Sequence, residues 1–246
     1  MLEDCIKSVL NQSVKTNVVI ATSTPNDFIQ KLAEKYSVKM IINKESKGIG
    51  YDFDFASNCA DSHLVTIAHQ DDIYCEKYAE EVIKKHKSFP KAQIIFTDYY
   101  EIKNNKPELS NTNLLVKRIL LTPIRLHCLS KFRFIKRLTL RFGNAICCPA
   151  VTFVTNNTPK VKFICDLKCN VDWHCWEKLS NEKGYFIYIS KKLMGHRIYG
   201  QSTTSDIIAQ NLRTKEDLIM FKKFWPNSVA GFINKYYKIS EKNNRT

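Results

Sequence analysis

The sequence predicts an α/β fold in which a mostly parallel sheet is flanked by helices on both faces. Three observations carry that expectation. Apolar runs of about five residues alternate with amphipathic stretches of about ten over the first hundred positions. The chain has 246 residues, 44% hydrophobic and 25% charged, which suits one large domain with a sizeable core. One apolar run, residues 65–68, leads through His69 and Gln70 to the adjacent acids Asp71 and Asp72. Sheets of this kind bind ligands beyond the carboxyl ends of their strands.

The elements follow in order. Leu2, Ile6, Val9 and Leu10 share one helical face. Residues 18–22 (VVIAT) read as a strand. Thr24 as N-cap, Pro25 at the first position and Asp27 in the first turn open a second helix. Residues 38–42 form the next strand, GIGYDFDFASNCA a turn and helix, and residues 63–68 the strand that ends at the acids. A helix over residues 76–87 and a strand over 92–98 complete the first half. Beyond a basic stretch come a strand-like AICCPAVTFV, a loop and helix in DLKCNVDWHCWEKLS, the strand GYFIYIS, and an amphipathic run that ends near Pro226. Nothing marks a repeat or a flexible linker. The expected organisation is one domain over 1–225, divided into halves 1–103 and 104–225, with 226–246 as a tail.

Composition narrows the function. No apolar run is long enough to span a bilayer, and the first residues lack a signal-peptide layout. Nine irregularly spaced cysteines do not suggest a disulfide framework, and Cys165, Cys169 and Cys175 near His174 lack a CxxC pair for zinc. Reduced thiols imply a cytoplasmic protein. The net charge of +14 implies an anionic partner. Residues 109–165 hold no acid at all, and from 114 to 142 their basic residues interleave with Leu, Ile and Phe. That segment reads either as a surface for anionic membrane or as a core helix pair with a solvated basic face. No nucleic-acid motif supports a nucleic-acid partner.

Asp71 and Asp72 could simply close a turn, since aspartate bonds the backbone ahead of it. Five segments in order suggest more: LEDCIKSVLNQS, NKESKGIGYDFDFASNCADSHLVTIAHQDDIY, CPAVTFV, VDWHCWEKLS and HRIYGQSTT. Together they resemble the family 2 glycosyltransferases with a GT-A fold, the Rossmann-like nucleotide-diphospho-sugar transferases, over most of the chain. The resemblance implies a nucleotide diphosphate sugar as donor and a glycan or lipid-linked acceptor. It assigns Asp72 to a Mn²⁺ or Mg²⁺ ion, and Asp71 to the ribose or to the metal's water shell. It makes Asp172 the general base that deprotonates the acceptor hydroxyl, although aspartate there could also cap the helix. Lys47 and Gly48 fall where relatives approach the nucleotide. His196 and Arg197 fall where a loop folds over the diphosphate, and His69 stands where some relatives carry a third carboxylate.

Two departures accompany the resemblance. Relatives carry an acidic turn after their second strand, where this chain has ATSTPND, so either Thr22, Ser23 and Thr24 substitute with hydroxyls or the base contact is absent. Relatives also begin with a strand ending in Pro-x-Tyr-Asn that would lie between residues 18–22 and residues 63–68. Without it, either a preceding strand fills the gap or the 18–22 strand moves against its neighbour. The expected function is inverting, metal-dependent sugar transfer in cell-surface polysaccharide assembly, by a cytoplasmic enzyme at the inner membrane face. The alternative is a non-catalytic domain of the same fold that binds acidic membrane or a partner enzyme.

Overall fold

The computed structural model describes residues 1–198 and 203–243. Helix α1 (Leu2–Leu10) turns Cys5 and Ile6 inward. It is followed by β1 (Val19–Thr22), α2 (Asp27–Lys35), β2 (Lys39–Ile42) and α3 (Ile49–Asn58). The cap of α2 is Asn26 rather than Thr24. Asn26 has the extended backbone of an N-cap, and its side-chain oxygen accepts from the Ile29 N–H at 3.0 Å. The Gly-Ile-Gly before α3 has a steric explanation. Gly48 sits at φ +126°, and a Cβ on Gly50 would come within 2.8 Å of the Phe163 carbonyl oxygen.

Then come β3 (Leu64–Thr66), β4 (Ile73–Tyr74), α4 (Tyr78–Ser88), β5 (Ala92–Lys103) and β6 (Lys106–Glu108). The basic segment forms α5 (Thr112–Leu120) and α6 (Arg133–Leu140). They lead to β7 (Val151–Val154), α7 (Val171–Ser180), β8 (Tyr185–Ile198), α8 (Thr203–Lys222) and α9 (Asn227–Asn243). The region expected as a tail therefore holds a helix. Its Ala230 is buried, and its Tyr237 ring stands 5.4 Å from that of Phe221.

The α/β class is as expected, but the sheet is mixed rather than mostly parallel. Its order is β3-β7-β5-β8-β4, with β6 beside β5. Only β5 and β8 run parallel; β7 runs against both β3 and β5, and β4 runs against β8. Alternating strand and helix patterns reveal which segments are strands but not their direction. The β5–β6 hairpin turns through Asn104 and Asn105, both with positive φ, as a two-residue loop requires.

β1 and β2 form a separate parallel pair. β1 does not close against β3. A cavity of about 1060 Å³ opens between them, lined by Val19, Ile20 and Ala21 on one side and Leu64, Val65 and Thr66 on the other. The core lies on both faces of the larger sheet. Ile94, Phe96, Phe186 and Tyr188 pack with Trp173 and Trp176, while Ile95, Tyr99, Ile187 and Ile189 pack with Tyr74 and Tyr78. That division is the period-two alternation of strands buried on both sides. Among the described residues, no helix is long and apolar enough to cross a membrane.

Candidate active site

Asp71 and Asp72 do close a turn. After β3 the chain folds back so that the Asp72 N–H donates to the His69 carbonyl at 3.2 Å, then enters β4. Asp72 is 0% exposed. Its Oδ1 accepts from the Arg197 N–H at 3.0 Å and lies 3.0 Å from His196 Nδ1. Its Oδ2 is buried and meets no donor among the described residues, and His69 Nε2 is likewise buried without a partner. A buried carboxylate with an unanswered oxygen costs several kcal/mol, on the order of an unmade charged hydrogen bond, so a core turn alone does not explain it.

One potential ligand atom each from His69, Asp71 and Asp72 lie within 4.8 Å of one another. Burial pushes the His69 pKa down, so the imidazole is neutral near pH 7 and its lone pair is free to ligate. The carboxylates of Asp72, Asp71 and Asp172 all act on that ring in the opposite direction, and the His196 ring acts with burial. A neutral nitrogen with carboxylate oxygens is a donor set that suits Mn²⁺ and tolerates Mg²⁺.

His196 and Arg197 belong to strand β8 rather than to a loop. Arg197 Nε donates to the Asp71 carbonyl at 3.0 Å and Nη1 to Asn105 Oδ1 at 2.8 Å, while Nη2 stands 3.8 Å from Asp4. The side chain thus braces the aspartate turn against the β5–β6 hairpin and α1. The remainder of the expected closing loop, residues 199–202, lies outside the described residues.

Asp172 is the second residue of α7, and the cap position falls on Asn170. Asn170 instead donates from its side chain to Asp217 at 2.8 Å. Glu216 of α8 accepts the N–H groups of Lys168, Cys169 and Asn170, which fixes the loop that delivers α7. Asp172 Oδ1 accepts from the Trp173 N–H at 2.7 Å and Oδ2 from Asn144 Nδ2 at 2.6 Å. Burial pushes the Asp172 pKa up, while these two donors act against the rise. A carboxylate held in that way is suited to accept a proton near neutral pH.

Thr22, Ser23, Thr24, Asn43, Asp52, His69 and Asp71 line the same 1060 Å³ cavity. Thr22 Oγ1 accepts from the Thr24 N–H. Ser23 and Ser46 donate to Asp52 Oδ2 at 3.1 and 2.9 Å, and Asn43 donates to Oδ1 at 2.8 Å. Asp52 was not legible as a site residue in the sequence. It brings a carboxylate against Ser23, just past the end of β1. Lys47 and Gly48 sit exposed at the start of α3, off that cavity, with Lys47 Nζ 6.0 Å from the Tyr51 ring. Asn144 was also missed, since a lone asparagine after a basic helix carries no sequence signal.

The family model described as glycosyl transferase family 2 matches residues 1–154. No curated protein matches the sequence. Among solved structures, S. aureus TarS 1–349 superposes with a TM-score of 0.56 at 14% identity, covering 95% of this chain and 65% of that one. TarS 1–349 in complex with UDP-GlcNAc gives 0.57 at 12% identity, covering 95% and 66%. The mannosyltransferase PcManGT from Pyrobaculum calidifontis, in complex with GDP-Man and Mn²⁺, gives 0.56 at 11% identity, covering 96% and 65%. The chain therefore spans just under two thirds of each of these structures.

Proposed function

The chain belongs to glycosyl transferase family 2, and from that premise we propose that it transfers a sugar from a nucleotide diphosphate sugar to a glycan or lipid-linked acceptor. The setting is cell-surface polysaccharide assembly at the inner membrane face. One observation carries the reading: ligand atoms of His69, Asp71 and Asp72 lie within 4.8 Å of one another, and His69 Nε2 and Asp72 Oδ2 are buried there without a partner among the described residues. A structural turn has no need to leave a carboxylate oxygen and an imidazole nitrogen buried and unpartnered.

In this reading the donor's base and ribose lie against Thr22, Ser23 and Asp52, with Asp71 at the ribose. Lys47 and Gly48 stand outside the cavity lined by these residues, at the start of α3, so a part in donor binding would require a phosphate to reach its rim. His69, Asp71 and Asp72 would hold a divalent cation, Mn²⁺ or Mg²⁺, and the two buried atoms without partners, His69 Nε2 and Asp72 Oδ2, support that fit. Such an ion supplies Lewis-acid stabilisation to the departing nucleoside diphosphate. Arg197 keeps the aspartate turn in place. Asp172 takes the proton of the acceptor hydroxyl as its oxygen bonds the anomeric carbon and the bond from that carbon to the phosphate oxygen breaks. A single displacement with one base inverts the anomeric centre.

The neighbours bind UDP-GlcNAc and GDP-Man, so calorimetry with these two donors and a wider panel of nucleotide diphosphate sugars, with and without Mn²⁺, is the first test. Metal-dependent binding of one donor is expected, and Asp72→Asn should abolish it while leaving the melting curve cooperative. A variant that binds as the parent does would remove Asp72 from the site. Donor binding by the parent without any turnover would instead favour the non-catalytic reading.

A further inference from the structure

The basic segment divides its charges sharply. Lys117 donates to the Tyr99 hydroxyl, Arg118 to Asp98, Arg137 to Glu177, and Lys136 to carbonyl oxygens of the interior. Those four belong to the fold. Arg125, Lys131 and Arg133 remain exposed and pair with no acid among the described residues: Arg133 Nε donates to Asn181, and Lys131 stands over the Phe132 ring.

The apolar residues divide in the same way. Helical spacing turns Leu114 of α5 inward and leaves Leu115, Val116 and Ile119 outside. Leu126, Phe132 and Phe134 are also outside, and the exposures of Ile119, Leu126 and Phe134 are 60%, 64% and 68%. α6 packs beside α5, and Leu126 and Phe132 lie on the connection between them. Large side chains this exposed, beside exposed cations and without an acid anywhere in residues 109–165, are what an anionic lipid surface complements. A protein interface would deplete lysine among its apolar contacts, whereas a headgroup layer recruits it.

We propose that the exposed surface made by the α5–α6 connection and the start of α6 docks on an anionic bilayer. Leu126, Phe132 and Phe134 enter the acyl boundary, and Arg125, Lys131 and Arg133 meet lipid phosphates. The proposal rests on the transferase reading only for its purpose, which is access to a lipid-linked acceptor. Just beyond the end of α6 at Leu140 comes Asn144, which donates to Asp172, so the docking segment is tied in sequence to the base.

Co-sedimentation of the whole chain with phosphatidylcholine vesicles, with and without phosphatidylglycerol, tests it. Binding is expected only with the anionic lipid and should fall as salt rises. Each exposed base removed should lower partitioning about fivefold, so Arg125→Ala, Lys131→Ala and Arg133→Ala together should lower it on the order of a hundredfold. Phe132→Ser with Phe134→Ser should also weaken binding, but with the salt dependence retained. Equal binding to both vesicle types, no binding to either, or a triple variant that binds as the parent would overturn the proposal. Circular dichroism of each variant guards against misfolding. Calorimetric donor binding is read in parallel: vesicle binding without donor binding would sink the transferase reading and leave the membrane surface standing.

Discussion

Asp172 is under opposing demands. Burial favours its protonated form, and the N–H groups of Trp173 and Asn144 favour its charge. Asp172→Asn should therefore keep donor affinity and lose turnover by roughly a hundredfold or more, measured as kcat against Kd. The same change should raise stability near neutral pH. A carboxyl whose folded-state pKa is raised costs stability above that pKa, and the cost fades as pH falls toward the ordinary carboxylate range. The melting advantage of the variant should thus be present at neutral pH and vanish in acid. Asn144→Ala removes a donor that favours the carboxylate, so the acid limb of the kcat profile should move to higher pH. An unmoved limb would reduce Asn144 to packing. Asp71, Asp72 and Asp172 were legible because acids at a strand end or helix start stand out against an apolar background. Asn144 and Asp52 were not, because their importance comes from partners distant in sequence or on other elements.

Lys136 shows how an element is anchored. Inside α6, it donates to Gln93 Oε1 at 3.0 Å and to the Glu182 and Gly184 carbonyls at 2.6 and 3.3 Å. Burial pushes its pKa down to about 8. Lys136→Met should leave those oxygens unanswered and lower stability by about 3 kcal/mol or more, read from the denaturant midpoint. The sign with pH is distinctive. A lysine with a lowered folded-state pKa disfavours folding while charged, so the parent should gain stability as pH rises from about 8 toward the ordinary lysine range, and the variant should not. Periodicity exposed most elements, because two-sided burial gives strands such as β5 and β8 near-continuous apolar runs. It missed β4 and β6, which are too short to show a period, and it could not report that β7 runs against its neighbours. The basic run from 114 to 142 held both of its readings at once, with one face of each helix in the core and the other in solvent.

Across the whole molecule, the sheet is divided where the resemblance places an additional strand, and the cavity between β1 and β3 marks the division. Thr22, Ser23 and Asp52 stand on the side of the β1–β2 pair, whereas His69 and Asp71 stand on the larger sheet. A ligand that touches both sides must span the cavity flanked by Ile20, Ala21, Val65 and Ile67. If binding draws the sides together, that apolar lining leaves water and the heat capacity falls, by about 45 cal/mol/K for every 100 Å² covered. Titrations at several temperatures should then show a binding enthalpy that grows steadily more exothermic on warming, and a flat enthalpy would mean that the two sides hold their distance. The split sheet thus makes recognition a calorimetric event as much as a geometric one, with donor affinity sensitive to temperature.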